Sequence, residues 1–200
     1  KLVRNQGVTA PLGFKAAGIA AGIKASGKPD LALVLNEGPD HAAAGVFTRN
    51  KVKAAPVLWT QQVMTTRRLR AVILNSGGAN ACTGPQGFQA SHETAELVAE
   101  GLQIGAGDVV VCSTGLIGVQ LPMGVMRAGI PEVLADAAAD EAAGLRAARA
   151  IMTTDTVPKQ VALHHPGKWT IGAMAKGAGM MAPSLATMLV VITTDAVAEL

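Results

Sequence analysis

Ala71-Val-Ile-Leu-Asn-Ser-Gly-Gly-Ala-Asn-Ala-Cys-Thr-Gly84 is a short apolar run that stops abruptly in a glycine-marked segment. Residues 71–75 read as a strand, because a brief apolar run with β-branched members bounded by turn residues suits a buried sheet. Glycines at 77, 78 and 84 let the backbone turn sharply. Asn75, Asn80 and Thr83 add side-chain hydrogen bonds. The segment is not a Walker A loop, since no Gly-Lys-Ser/Thr follows, and it does not match GxGxxG. Composition therefore favours a tight structural turn over a phosphate cradle.

Working outward, six further runs read as strands: Leu31–Asn36, Ala44–Thr48, Asp108–Cys112, Gln160–His164, Lys168–Met174 and Met188–Thr194. Two patterns read as helices. Ser91–Leu102 opens on a good N-cap, with Glu93 one place early for a strict capping box. Pro131–Met152 is Ala-rich with proline at its start, and is the clearest helix of the chain. Strands and helices mix without a regular βαβ rhythm. The expectation is an α+β fold, with sheets covered by helices rather than a doubly wound one.

Composition supports a packed core. Half of the 200 residues are hydrophobic and 16% are charged, so burial can offset the entropy of ordering the chain. With no Tyr and only 2% aromatic residues, the core must come from Ala, Val, Leu, Ile and Met. The net charge is +3, and the basic residues are dispersed apart from Arg67, Arg68 and Arg70. No aromatics are interleaved with them, which argues against nucleic acid as a partner. Cys82 and Cys112 show no metal-ligand spacing. A disulfide and two reduced, buried thiols both stay open, the second being the commoner case in a cytosolic domain. No stretch of 18 apolar residues and no signal-peptide pattern is present, so a membrane partner is not expected and the placement expected is cytoplasmic. Lys1 in place of Met carries the expectation that something upstream has been trimmed or left out. The strong apolar run at 188–194 reads as part of a longer protein.

Two more segments carry chemistry. Val111-Cys-Ser-Thr-Gly-Leu-Ile-Gly118 sets a Thr-Gly pair at a strand end, where a hydroxyl and a backbone N–H can point together as an oxyanion hole, or can simply form a turn. Met174-Ala-Lys-Gly-Ala-Gly-Met-Met-Ala-Pro-Ser-Leu-Ala-Thr-Met-Leu189 places small Ala186 before Thr187. Attack of the Thr187 hydroxyl on the Ala186 carbonyl would shift the peptide to an ester, and hydrolysis would free an α-amine with a pKa of about 8. That amine would be a built-in base for its own hydroxyl. The bland alternative is a β-branched residue that opens a strand. His164 and His165, being adjacent in a strand, point to opposite faces. With His41 and His92 they read as surface or satisfied polar residues, and no metal site is expected.

The Met174–Leu189 segment resembles the autocleavage segment of the glutamate N-acetyltransferases (ornithine acetyltransferases) of arginine biosynthesis. Four other blocks resemble the same family in its order: Gly45-Val-Phe-Thr-Arg-Asn50 with Ala54-Ala-Pro56, Ile73–Gly84, Cys112-Ser-Thr-Gly-Leu-Ile-Gly118 and Ile151-Met-Thr-Thr-Asp155. The resemblance implies an α-β-β-α sandwich like that of self-processing aminopeptidases. It implies cleavage between Ala186 and Thr187, making residues 1–186 an α chain and 187–200 the start of a β chain whose remainder is absent. Thr187 would then carry the acetyl group from N2-acetyl-L-ornithine to L-glutamate. Thr114 and Gly115 would form the oxyanion hole, and Thr153, Lys176 and Thr187 would bind substrate. A lysine there makes chemical sense, because both substrates carry an α-carboxylate.

No cofactor is implied. Acetyl-CoA is a candidate co-substrate, since some members use it to make N-acetylglutamate directly. The partners implied are the β chain of the same precursor, in an assembly of two α and two β chains, and the two amino-acid substrates. Two other readings stay open: a related hydrolase in which water intercepts the acetyl-enzyme, and a non-catalytic fragment that needs its β chain.

Overall fold

The computed structural model describes residues 1–3, 6–178 and 187–197. In chain order the elements are β1 (Leu2–Val3), β2 (Phe14–Ile19), β3 (Leu31–Asn36), α1 (Ala55–Val63), β4 (Ala71–Gly78), α2 (Gly84–Leu102), β5 (Val109–Leu116), α3 (Met123–Ala135), α4 (Glu141–Ala150), β6 (Lys159–His165), β7 (Trp169–Lys176) and β8 (Leu189–Thr194). They build two four-stranded sheets, ordered β2-β3-β4-β5 and β1-β6-β7-β8. Every pairing is antiparallel except β4 with β5, which is parallel. The class is α+β.

β3 shows how the layers form. Its first five residues are all buried, as a strand covered on both faces requires. Leu31, Leu33 and Leu35 face one cluster, with Ile73, Val109 and Val111 of the neighbouring strands; Ala32 and Val34 face another, with Leu74. Helices fill the first side, through Trp59 of α1, Val98 of α2 and Ile130 of α3. The second side is filled by α4 (Ala147, Ala148) and by Met174, Leu189 and Val191 of the other sheet. The approach of α4 is close: a Cβ on Gly18 of β2 would lie 2.2 Å from the Arg146 carbonyl oxygen. The outer face of the β1-β6-β7-β8 sheet is different. Leu2, Leu163, Val190 and Ile192 are 40–66% exposed there, and no helix covers it among the described residues.

Six of the seven expected strands are present within a few residues, and the seventh is not. Residues 44–48 form no strand. Val46 is fully exposed, so the run has no sheet to join. The helix expected over Pro131–Met152 is two helices, broken between α3 and α4, and Pro131 lies inside α3 rather than at a start. The break is tertiary in origin. Ala138 exchanges backbone hydrogen bonds with Ala16 of β2 (2.9 and 3.0 Å), and Asp140 then caps α4 by accepting from the Ala143 N–H at 2.7 Å. α2 begins at Gly84, seven residues before Ser91, with a proline in its first turn. Ser91 is buried mid-helix and bonds to Asn80 and Gly87. β2, with its Phe-Lys-Ala-Ala-Gly-Ile sequence, and α1 with Pro56 near its start, lacked a clear periodic signal.

Candidate active site

β7 brings Lys176 inward at its C-terminal end, opposite Leu189 of β8. Even-numbered residues of β7 face the interior, and Lys176 is 5% exposed. An interior ammonium must find acceptors. Its Nζ donates to Thr153 Oγ1 at 2.6 Å and lies 3.3 Å from the carbonyl oxygen of Thr187, just before β8. Thr153 sits in the irregular segment after α4 and is itself exposed, so the cluster has a side open to solvent. An open pocket of about 370 Å³ reaches it, lined among others by Lys24, Lys28, Arg149, Thr153 and Asp155.

Asp155 lies beneath this group with a side chain 1% exposed. It accepts from the Gly177 N–H at 2.8 Å and from the Thr153 N–H at 3.3 Å, pairs with Lys159, and is 4.0 Å from Lys176 Nζ. Burial alone would raise its pKa, but the Lys159 hydrogen bond and the two backbone N–H groups outweigh that and hold it at about 2. Lys176 is lowered from the usual lysine value by burial, with Asp155 opposing the shift and Lys159 adding to it. Lys24 is also lowered, again chiefly by burial. Its Nζ donates to the carbonyls of Pro29 (2.8 Å) and Met152 (2.7 Å), tying the 24–29 loop to the residue before Thr153.

Thr114 and Gly115 stand at the end of β5, in the other sheet, in register with Ser76 and Gly77. Gly115 has φ +130°, and a Cβ there would lie 2.5 Å from the Gly77 carbonyl carbon, so only glycine fits. Thr114 is 1% exposed. No hydrogen bond joins Thr114 or Gly115 to Thr187 among the described residues. The two groups are linked indirectly: Ser76, beside Thr114, bonds through its hydroxyl to the Ala150 carbonyl at the end of α4, three residues before Thr153.

Residues 15–199 match the model of the ArgJ family. The chain belongs to that family. It is 71% identical over its whole length to the arginine biosynthesis bifunctional protein ArgJ of Mycolicibacterium paratuberculosis, and 62% identical over 94% of its length to that of Streptomyces coelicolor. It spans about half the length of these curated relatives (50% and 49%). Among solved structures it resembles ornithine acetyltransferase from Mycobacterium tuberculosis, determined with ornithine, at TM-score 0.90 and 68% identity, covering 93% of this chain and 99% of that one. It also resembles the ArgJ protein of Bacillus halodurans at TM-score 0.84 and 37% identity, covering 94% and 98%.

The ArgJ-family blocks seen in the sequence fall into separate parts of the fold. Ile151–Asp155 and the two ends of Met174–Leu189 meet at Lys176. Ile73–Gly84 and Cys112–Gly118 meet at the ends of the parallel pair β4 and β5. In the first of these the polar residues are spent on structure, as the turn reading anticipates: Asn75 donates to the Gly78 carbonyl, Asn80 to that of Gly87, and Thr83 to Asn80. Gly45–Asn50 lies apart, beside the helix end at Met64. Ala186 lies outside the described residues. The two cysteines are free; Cys82 is exposed, against the expectation of two buried thiols, while burial pushes the Cys112 thiol up to about 12. Sequence reasoning gave no role to Asp155 or Lys24. Asp155 was in plain view within a family block, but only the fold shows what it touches.

Proposed function

We propose that this chain is the front half of an acetyltransferase that moves an acetyl group from N2-acetyl-L-ornithine to L-glutamate in arginine biosynthesis. The supporting observation is the convergence of Lys176 Nζ on the Thr153 hydroxyl, 23 residues away in sequence, and on the Thr187 carbonyl, 11 residues away. Membership of the ArgJ family, and likeness to the structure of ornithine acetyltransferase complexed with ornithine, point the same way.

In this reading Thr187 Oγ attacks the Ala186 carbonyl, the peptide bond becomes an ester, and water hydrolyses it. The Ala186 carboxylate and the Thr187 α-amine are released. The amine then takes the Oγ proton as Oγ attacks the acetyl carbonyl of N-acetylornithine. Thr114 and the Gly115 N–H receive the developing oxyanion, each contributing roughly 3 kcal/mol. Ornithine leaves with a proton on its amine, and the acetyl group stays on Thr187. The glutamate amine attacks that ester and carries the acetyl group away, while Oγ regains its proton. Lys176 and Thr153 hold the substrate through its α-carboxylate and neighbouring polar groups. No cofactor is required; acetyl-CoA is a candidate alternative donor.

The partner proposed is the second half of the family's length, as a β chain in an assembly of two α and two β chains, placed in the cytoplasm. The exposed apolar outer face around Val190 and Ile192 favours such a cover, and favours a fragment that is inactive until covered. Intact-mass measurement of the complete gene product tests the reading. Two pieces meeting at Ala186/Thr187, one unbroken chain for Thr187→Ala, and an acetyl increment on the piece beginning with Thr187 are expected. An uncut wild-type chain that takes up no acetyl would sink it. An acetyl-enzyme that discharges to water as fast without glutamate as with it would make the protein a hydrolase.

A further inference from the structure

We propose that Asp155 is the positioning residue of this site, one buried carboxylate that holds Thr153, Lys176 and the first peptide after β7 in a common register. The proposal rests on the reading of Thr153, Lys176 and Thr187 as the working site.

The geometry is specific. Asp155 Oδ2 accepts the N–H of Thr153 at 3.3 Å and stands 4.0 Å from Lys176 Nζ, while Oδ1 accepts the N–H of Gly177 at 2.8 Å and the Lys159 ammonium. Residues 151–155 and 176–177 come from segments more than 20 residues apart. Among the described residues, the Lys176–Thr153 bond and this carboxylate are the polar contacts that join them. Oδ2 serves both segments and Oδ1 holds the second, so moving the carboxylate changes the Thr153–Lys176 spacing and the exit of the chain at Gly177 together. Gly177 is also where the chain leaves β7 toward Thr187. A group with this placement governs two events: presentation of the scissile peptide, and the distance between the cation and hydroxyl offered to substrate.

The charge has a second effect that a mere fastening would lack. Among the described residues, the charged groups facing the Lys176 ammonium are Asp155, Lys159 and, further off, Lys24. Asp155 is the one negative group among them. It therefore opposes the lowering of the Lys176 pKa by burial and by the like charges.

The test uses Asp155→Asn and Asp155→Glu in the complete gene product, with Thr187→Ala alongside. Asp155→Asn should slow self-cleavage by about tenfold or more, since small misplacements at a reacting centre are costly. In the cleaved enzyme it should raise KM for N-acetylornithine by about tenfold while kcat changes less. The alkaline limb of the KM profile should move to lower pH. A carboxylate that only stabilises the fold would lower Tm and leave KM and that limb where they were, which overturns the proposal. Asp155→Glu keeps the charge but displaces it, so the pH limb should return while KM recovers only in part. Should Asp155→Asn not fold, a Glu variant indistinguishable from wild type in cleavage rate and KM is the overturning result. An uncut wild-type chain, or a cut Thr187→Ala chain, would remove the acetyl-transfer reading alone. The positioning claim is then decided by NMR titration of 13C-labelled lysine: a lower Lys176 pKa in Asp155→Asn upholds it, and an unmoved one overturns it.

Discussion

Burial ordinarily pushes a carboxyl group toward its neutral form, yet Asp155 is held at about 2 by Lys159 and two backbone N–H groups. Its folded pKa lies below the ordinary 3.8, so its contribution to stability is present above that value and is lost as pH falls through about 2. The side chain is almost wholly buried, and the shift corresponds to about 2 kcal/mol. Acid unfolding of wild type should therefore lose about that much more than Asp155→Asn between about pH 5 and pH 1, measured by denaturant titration at several pH values. Lys176 has the opposite sign: its lowered pKa means that keeping it charged costs stability, and the cost fades as pH rises through the folded value. Thr114→Val removes the hydroxyl proposed as an oxyanion donor while keeping the β-branched shape. Steady-state kinetics of the cleaved enzyme should show kcat reduced by about 10²–10³-fold with KM little changed. An unaltered kcat would free Thr114 from that role.

At the scale of elements, the close approach of α4 to β2 has a direct consequence. Gly18→Ala would set its methyl carbon against Arg146 backbone, which cannot swing aside. Helix and strand must separate, at a cost of about 1–3 kcal/mol, visible as a lower urea midpoint with an unchanged m-value. The element that sequence misjudged most lies beside this contact. Over 131–152 an alanine-rich run argues for one long helix, and local propensity is all that a sequence window can weigh. The pairing of Ala138 with Ala16 overrides it, because two backbone hydrogen bonds to a strand more than 100 residues away are invisible locally. Strands with continuous apolar runs, such as Leu31–Asn36, were legible because a strand buried on both faces leaves a dense local signal. β2 left none, since small residues are what the crowding of α4 demands there.

For the whole molecule, the outer face of the β1-β6-β7-β8 sheet sets the expectation. Val190 and Ile192 point outward on edge strand β8, beside Leu163 and Leu2 further across the sheet. An exposed apolar face with an open edge invites association. The 200-residue chain produced alone should self-associate in sedimentation velocity, and Val190→Lys with Ile192→Lys should return it toward monomer. In the complete gene product the same pair of substitutions should lower, not raise, the yield of folded protein. Equal behaviour in both contexts would mean that the face is not covered by the rest of the protein.

The sequence by itself determined the family, the α+β class and most of the strands, because motifs and apolar runs are local records of chemistry and burial. It also named Thr153, Lys176 and Thr187, through blocks that carry their residues in order. Only the tertiary structure decided that Lys176 meets Thr153 and the Thr187 carbonyl, that Asp155 holds Thr153, Lys176 and Gly177, and that a long helix is two. Those are contacts between residues that no single local pattern links. Their energies depend on geometry, desolvation and shared hydrogen bonds, none of which is set until the sheets have paired and packed.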